Sequence, residues 1–327
     1  MNSLLGGRIT MHDVKIPGGK SAHRRTGAKM ERAGMDRIGK YVIHKAVVSS
    51  GYAKVFFCHD PDLQIPVAIK LFNPRAAEDG PMSAPQLLAR FQVEARALAS
   101  FDHPQIIAVK ALEVLPDGRP YFVMPYMAAA LPYEMGRDGP ATDEMNEADR
   151  PHRLPLVRAL AILRQSSAAL MALHRRGMVH RSVRPSCLLL TARENGQVRL
   201  GDFSTIKLPE RNAPLPDLWI GGTEYCAPEQ RENATAVGPE ADVFSLGCLL
   251  YRLLTGSLPD LSGGPVALPD KHPAVLVDLV AQSTDPDPTR RPAHAGIFLQ
   301  ALGQVPAEAV ARPKVAVVPI RRASAKV

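Results

Sequence analysis

Short alternating runs of apolar and polar residues fill the first third of the chain, and a helical period takes over after them. Tyr41-Val42-Ile43, Ala46-Val47-Val48, Val55-Phe56-Phe57-Cys58 and Val67-Ala68-Ile69-Lys70-Leu71-Phe72 predict strands. Tight turns at Ser49-Ser50-Gly51-Tyr52-Ala53 and His59-Asp60-Pro61-Asp62 separate them, which gives an antiparallel meander. Ser83 to Ser100 reads as a helix, because Leu87, Phe91, Ala95 and Leu98 share one face. Ser83 and Gln86 form a capping box at its start. Tyr121 to Met127 is a further strand leading into a linker. Residues 128–152 show no period and predict a mobile loop insertion. Leu156, Leu160, Leu163, Ser167, Leu170 and His174 then mark a long helix from Leu154 to Arg176, with Gly177 as its terminator. His174 reads as a helix-surface or packing residue rather than a catalyst.

The hydrophobic fraction of 46% over 327 residues allows a sizeable core, in one large domain or two smaller ones. No run of apolar residues is long enough to suggest a transmembrane segment. Leu246 to Leu254 is too short, and Arg252 interrupts it. With no signal-like N-terminus, the expected location is cytoplasmic. Cys58, Cys187, Cys226 and Cys248 form no CxxC pair, so a zinc site or disulfide framework is not expected. All four read as small buried hydrophobes, with Cys187 exposed beside a ligand cleft if any is.

Charge sharpens the domain limits. Of the net +8, residues 1–40 carry nine Lys/Arg against three Asp/Glu, and residues 305–327 carry five against one. The stretch between is therefore −2. The two ends read as basic arms, either simply solvated or able to meet an acidic partner, anionic lipid or nucleic acid. Gly19-Lys20-Ser21 has the ending of a phosphate-binding loop, but Val14 stands where its first glycine belongs. Arg321-Arg322-Ala323-Ser324 matches a basophilic-kinase substrate pattern of the kind that arises by chance.

Several stretches carry a family likeness. They are Val67-Ala68-Ile69-Lys70; Arg90-Phe91-Gln92-Val93-Glu94-Ala95; Asp102-His103-Pro104-Gln105-Ile106-Ile107; His180-Arg181-Ser182-Val183-Arg184-Pro185-Ser186-Cys187; Gly201-Asp202-Phe203-Ser204; Tyr225-Cys226-Ala227-Pro228-Glu229; and Asp287-Pro288-Thr289-Arg290-Arg291-Pro292. In this order they resemble a protein kinase of the bacterial serine/threonine type over about residues 41–304. The resemblance implies an α+β bilobal fold. Residues 41–126 would form a small antiparallel sheet with one helix, and 127–304 a mainly helical lobe.

It also implies roles. Lys70 would contact the α- and β-phosphates of ATP and pair with Glu94, unless both are unrelated surface charges. Val55, Ala68, Met124, Met127 and Leu189 would surround the adenine, with Met124 as gatekeeper and Pro125 to Met127 as hinge. Asp202 would hold Mg2+, and Arg184 would meet the γ-phosphate. Asp242, in Asp242-Val243-Phe244-Ser245-Leu246-Gly247, would open a buried helix and hydrogen-bond the catalytic loop, and Arg291 would pair with Glu229.

Departures from the pattern fall on the chemistry. Ser182 stands where the family places its catalytic Asp, and a hydroxyl cannot take the acceptor proton as a carboxylate does. Cys187 stands at the metal-ligand Asn, and sulfur suits Mg2+ badly, so at most one ion is expected. Val48, Ser50 and Ala53 occupy the three glycine positions of the phosphate loop. Ser204 replaces the glycine after Phe203. No Ser, Thr or Tyr lies between Thr205 and Thr223 to pair with Arg181 once phosphorylated. Gly222 falls at the family threonine, with Thr223 one place late.

The reading is a pseudokinase that binds nucleotide through Lys70, Glu94 and Asp202 and regulates or scaffolds an unidentified signalling protein. A slow or unconventional transferase of phosphoryl or nucleotidyl groups is the alternative. An adaptor acting through the basic arms is the third.

Overall fold

The computed structural model describes residues 36–74, 82–209, 224–264, 266–269 and 272–310. The expectations for residues 1–35, for Gly19-Lys20-Ser21, for Arg321 to Ser324 and for the Gly222-Thr223 register lie outside the described residues.

The first lobe contains β1 (Arg37–Ile38), β2 (Tyr41–Ser49), β3 (Ala53–Asp60), β4 (Ile65–Phe72), α1 (Ala84–Ala99), β5 (Ala111–Val114) and β6 (Pro120–Pro125). These strands form one antiparallel sheet in the order β1-β2-β3-β4-β6-β5. The strands predicted from alternation all form. β1 is an addition, because two residues are too few for a period to show. Ile38 within it is fully buried, and Lys40 after it reaches Asp60 and Asp62 at 3.3 and 2.9 Å. The first sheet therefore includes residues that precede Tyr41. On one side of the sheet Ile38, Tyr41, Cys58, Val67, Ile69 and Leu71 pack together. Phe72 and Phe122 instead join Leu87, Phe91, Ala95 and Leu98 of α1 in the core that continues into the second lobe. The capping box forms as read, with the Ser83 N–H donating to Gln86 Oε1 at 2.9 Å.

The second lobe holds β7 (Ala129–Ala130), α2 (Pro132–Met135), α3 (Leu156–His174), β8 (Leu188–Leu190), β9 (Val198–Leu200), α4 (Pro228–Glu232), α5 (Pro239–Thr255), α6 (Ala274–Ser283), α7 (Ala295–Gly303) and α8 (Ala307–Val310). β7, β8 and β9 make a small antiparallel sheet. α5 is buried along most of its length and packs against α3, α6 and α7. Gly247 is required there: a Cβ would lie 2.6 Å from Ser283 Cβ on α6. Gly177 closes α3 with φ +69°, and the Met178 N–H donates to Leu173 O at 3.1 Å. By length and composition α3 could span a bilayer. Its apolar residues, among them Ala159, Leu160, Leu163, Leu170 and Leu173, are buried in the lobe's core, which accounts for that composition.

Residues 128–152 correct the expectation of a mobile insertion. β7 pairs with β8, Leu131 and Met135 are fully buried, and the segment is clamped by Arg252 of α5. That guanidinium, 0% exposed, donates to Asp138 Oδ1 at 2.8 Å and to the carbonyls of Met135, Arg137 and His152 at 3.1–3.2 Å. The order arises from contacts over a hundred residues away, which no local period can register.

Arg252→Ala is expected to leave these acceptors without their donor and to cost about 3–5 kcal/mol. Thermal unfolding should show a midpoint roughly 10 °C lower, and limited proteolysis should cut first within 136–152.

Candidate functional site

β4 carries Lys70 to the cleft between the lobes, and α1 brings Glu94 to meet it. Lys70 Nζ lies 2.7 Å from both Glu94 carboxylate oxygens, and Glu94 is only 1% exposed. The expected ion pair is thus formed, and it is not a pair of surface charges. Burial alone would lower the Lys70 pKa. Glu94, Tyr52 and Asp202 outweigh that and hold it above the ordinary lysine range. Asp202 adopts a left-handed backbone (φ +58°) and presents Oδ1 3.9 Å from Lys70 Nζ and Oδ2 3.4 Å from Arg184 Nη2. Burial pushes the Asp202 carboxyl up, but Lys70, Arg184 and the Ser204 hydroxyl hold it well below the usual carboxylate range.

The loop between β2 and β3 closes on itself. The Ser50 N–H donates to Ala53 O at 2.8 Å, and the Ala53 N–H donates to Ser50 Oγ at 3.2 Å. Two backbone donors that a glycine-rich loop would turn toward phosphate are thereby occupied. Tyr52 sits with its ring 5.6 Å from Lys70 Nζ and from the Arg90 guanidinium, and its hydroxyl is 3.5 Å from Glu94.

The residues expected around adenine lie on β3, β4, β6, β8 and the segment after β6. Ala68 pairs with Met124 across β4 and β6, and Val55 pairs with Lys70 across β3 and β4. Met127 and Leu189 are partly buried against the core that includes Met124. The Met127 N–H makes no backbone hydrogen bond among the described residues, which leaves a hinge donor for a ligand.

In the loop that follows α3, everything depends on Asp242. Its fully buried carboxylate accepts from the His180 N–H and the Arg181 N–H, each at 2.8 Å, and from His174 Nε2 at 2.9 Å. His174 Nδ1 accepts from the Ala295 N–H at 3.1 Å, so its proton resides on Nε2. His174 is a buried connector rather than a surface residue. These bonds hold Arg181 at φ +65°, an uncommon backbone for a β-substituted residue. Ser182 follows directly and opens into a cleft of about 170 Å3 lined also by Asp138, Arg184, Glu224 and Tyr225.

Cys187 is buried like the other three cysteines, and it does not face the cleft as an exposed ligand position would. It is 1% exposed, its thiol donates to Arg184 O at 3.0 Å, and it accepts from the Arg184 N–H at 3.3 Å. Burial raises the thiol to about 12. Cys187 therefore closes a turn and offers no ligand. Among the described residues no three His, Cys, Asp or Glu side chains are grouped for a metal. With a single carboxylate already facing two cations, the site fits Mg2+ poorly.

Arg181, the residue expected to await a phosphate, donates instead to the carbonyls of Thr205 and Ala234 at 2.6 and 2.8 Å. Burial, with Arg90 nearby, pulls its pKa down to about 10. Arg90, Tyr52 and Asp138 are site residues that the sequence reading did not single out. Arg90 lies one helical turn before Glu94, and its Nε donates to Ser204 O, tying α1 to the Asp202 loop. That i, i+4 spacing was the available signal for Arg90. Asp138 bonds the Tyr225 hydroxyl at 3.0 Å, a long-range contact with no local signature. Ser204 is not among the residues at positive φ, so its side chain costs nothing in this conformation.

Asp242 also sets an acid limit. Burial opposes its charge, but His174 and His180 hold its pKa below the ordinary value. The resulting stabilisation is complete above the unfolded pKa of about 4 and is lost as pH falls toward the folded one. Asp242→Asn should lower the melting midpoint at pH 7, for a loss of about 2–4 kcal/mol. It should also flatten the decline between pH 5 and 3, as followed by circular dichroism.

The protein kinase domain family matches residues 41–265. Serine/threonine-protein kinase PknL of Mycobacterium tuberculosis is 32% identical over 67% of this chain and 50% of its own length. The probable serine/threonine-protein kinase SCO3848 of Streptomyces coelicolor is 33% identical over 82% of this chain and 37% of its own. Serine/threonine-protein kinase PknA of M. tuberculosis is 30% identical over 74% and 52%. The chain spans about half or less of the length of these relatives. The family that generally uses ATP and Mg2+ is thus matched in sequence, in the sheet-plus-helices fold and in the Lys70–Glu94 pair, and the chain belongs to the protein kinase family in its bacterial serine/threonine branch.

Proposed function

We propose that this protein is a pseudokinase: a nucleotide-binding regulator of a signalling partner that transfers no phosphate at a useful rate. The observation that carries this reading is the combination at the loop after α3. The frame is intact, with Asp242 on the loop backbone and Arg291 bidentate to Glu229 at 2.7 and 2.8 Å. The two positions that would act on the acceptor and the metal are a neutral Ser182 and a thiol sealed into a turn. Without a carboxylate at position 182, proton removal from an acceptor hydroxyl loses about 10²–10⁴ in rate. The closed β2–β3 turn removes further contacts from the terminal phosphate. Lys70, Glu94, Arg184, Asp202 and the Met127 N–H remain to hold nucleotide.

A slow or unconventional transferase is the second reading. It draws on the assembled Lys70, Glu94, Arg184 and Asp202.

Purified protein incubated with labelled ATP, Mg2+ or Mn2+ and generic protein substrates should transfer no more label than Lys70→Ala. ATP should raise the melting temperature of the wild type and not that of Lys70→Ala. Label transfer that vanishes in Lys70→Ala or Asp202→Ala would establish the transferase and overturn the pseudokinase.

A further inference from the structure

The Asp202 carboxylate is the one place in the cleft where a divalent ion would be expected, and a guanidinium already stands there. Arg184 Nη2 lies 3.4 Å from Oδ2, and Lys70 Nζ lies 3.9 Å from Oδ1. The Arg184 Nε is buried with no acceptor, an unmet donor of the kind that folded proteins rarely leave. The side chain as a whole is 29% exposed and also borders the cleft beside Ser182. Cys187, at the other position expected to supply a metal ligand, is turned onto the Arg184 backbone by two hydrogen bonds. That same turn fixes the base of the Arg184 side chain.

We infer that this site takes the triphosphate of a nucleotide without a divalent cation, with the Arg184 guanidinium bridging Asp202 and the phosphates. This rests on the nucleotide-binding reading above. A guanidinium suits the task because its five donors lie in a planar fork. One nitrogen stays on the carboxylate while another meets a phosphate oxygen, which a point-like ammonium cannot do with the same geometry. Lys70 is neutralised by Glu94, and Arg184 shares Asp202, as a bound cation would between a carboxylate and phosphate oxygens. Magnesium, in contrast, prefers six oxygen ligands near octahedral geometry and gains nothing from a buried thiol. To reach Asp202 it would have to displace a cation already held there.

Calorimetric titration of the full chain with ATP, in EDTA and in millimolar Mg2+, separates the outcomes. The expected affinity in EDTA equals or exceeds that in Mg2+, since no ion takes part and chelation of ATP by Mg2+ only competes with the site. Arg184→Met should weaken binding in EDTA by tenfold or more, in line with loss of a charge-assisted contact. Arg184→Lys, which keeps the charge but not the fork, should lie between the two, and circular dichroism of each variant checks that the fold is retained. Binding that is tenfold or more weaker in EDTA and restored by Mg2+ would overturn the inference while leaving nucleotide binding intact. Equal binding by wild type and Arg184→Met in EDTA would overturn it as well. Absence of binding in both buffers would refute the nucleotide-binding reading itself, and this inference with it.

Discussion

A single buried carboxylate organises the loop on which this protein's chemistry turns. Asp242 sits at the start of α5, sealed from water, and accepts three hydrogen bonds from His174, His180 and Arg181. An ionised group in such a place is tolerated only when its acceptor capacity is met. The same bonds that satisfy it hold Arg181 in a left-handed backbone and place Ser182 in the cleft. His174 passes the restraint on to the N-terminus of α7. The loop's shape is therefore a property of the helical core, and it does not depend on which side chain occupies position 182.

That separation explains how the frame and the chemistry part company. Arg291, stacked 4.9 Å from the Phe244 ring and bidentate to Glu229, fastens α4 to α5. Arg252 fastens residues 135–152 to the same helix. Losing any of these buried donors would leave carboxylates and carbonyls without partners, a large penalty in folding free energy. Ser182 and Cys187 carry no such penalty. A hydroxyl in an open cleft is solvated, and a small thiol closes its turn as a polar cap while filling apolar space.

The first lobe shows a related economy of contacts. Arg90 and Tyr52 surround the Lys70–Glu94 pair, and Arg90 reaches Ser204 next to Asp202. Arg181 satisfies its guanidinium on backbone carbonyls of Thr205 and Ala234. The arrangement of α1 against the Asp202 loop is thus held by internal donors and acceptors together with the core that α1 shares with Phe203.

Much of this was legible in the chain itself. Alternation gave β2, β3 and β4, and the helical period gave the buried face of α1 and the run of α3 up to Gly177, because those signals are local. The identities of Lys70, Glu94, Asp202, Asp242, Glu229 and Arg291 could be read from ordered motifs, and the pairs they form follow. Only the tertiary structure decided what depends on distant partners. It showed that residues 128–152 are anchored, since their partner is Arg252, and that β1 extends the sheet, since Ile38 needs the core to be buried. It also turned Cys187 away from the cleft and set Arg184 on Asp202. Sequence fixes which charges exist, but low-dielectric burial and the demand that every buried donor find an acceptor fix which of them meet.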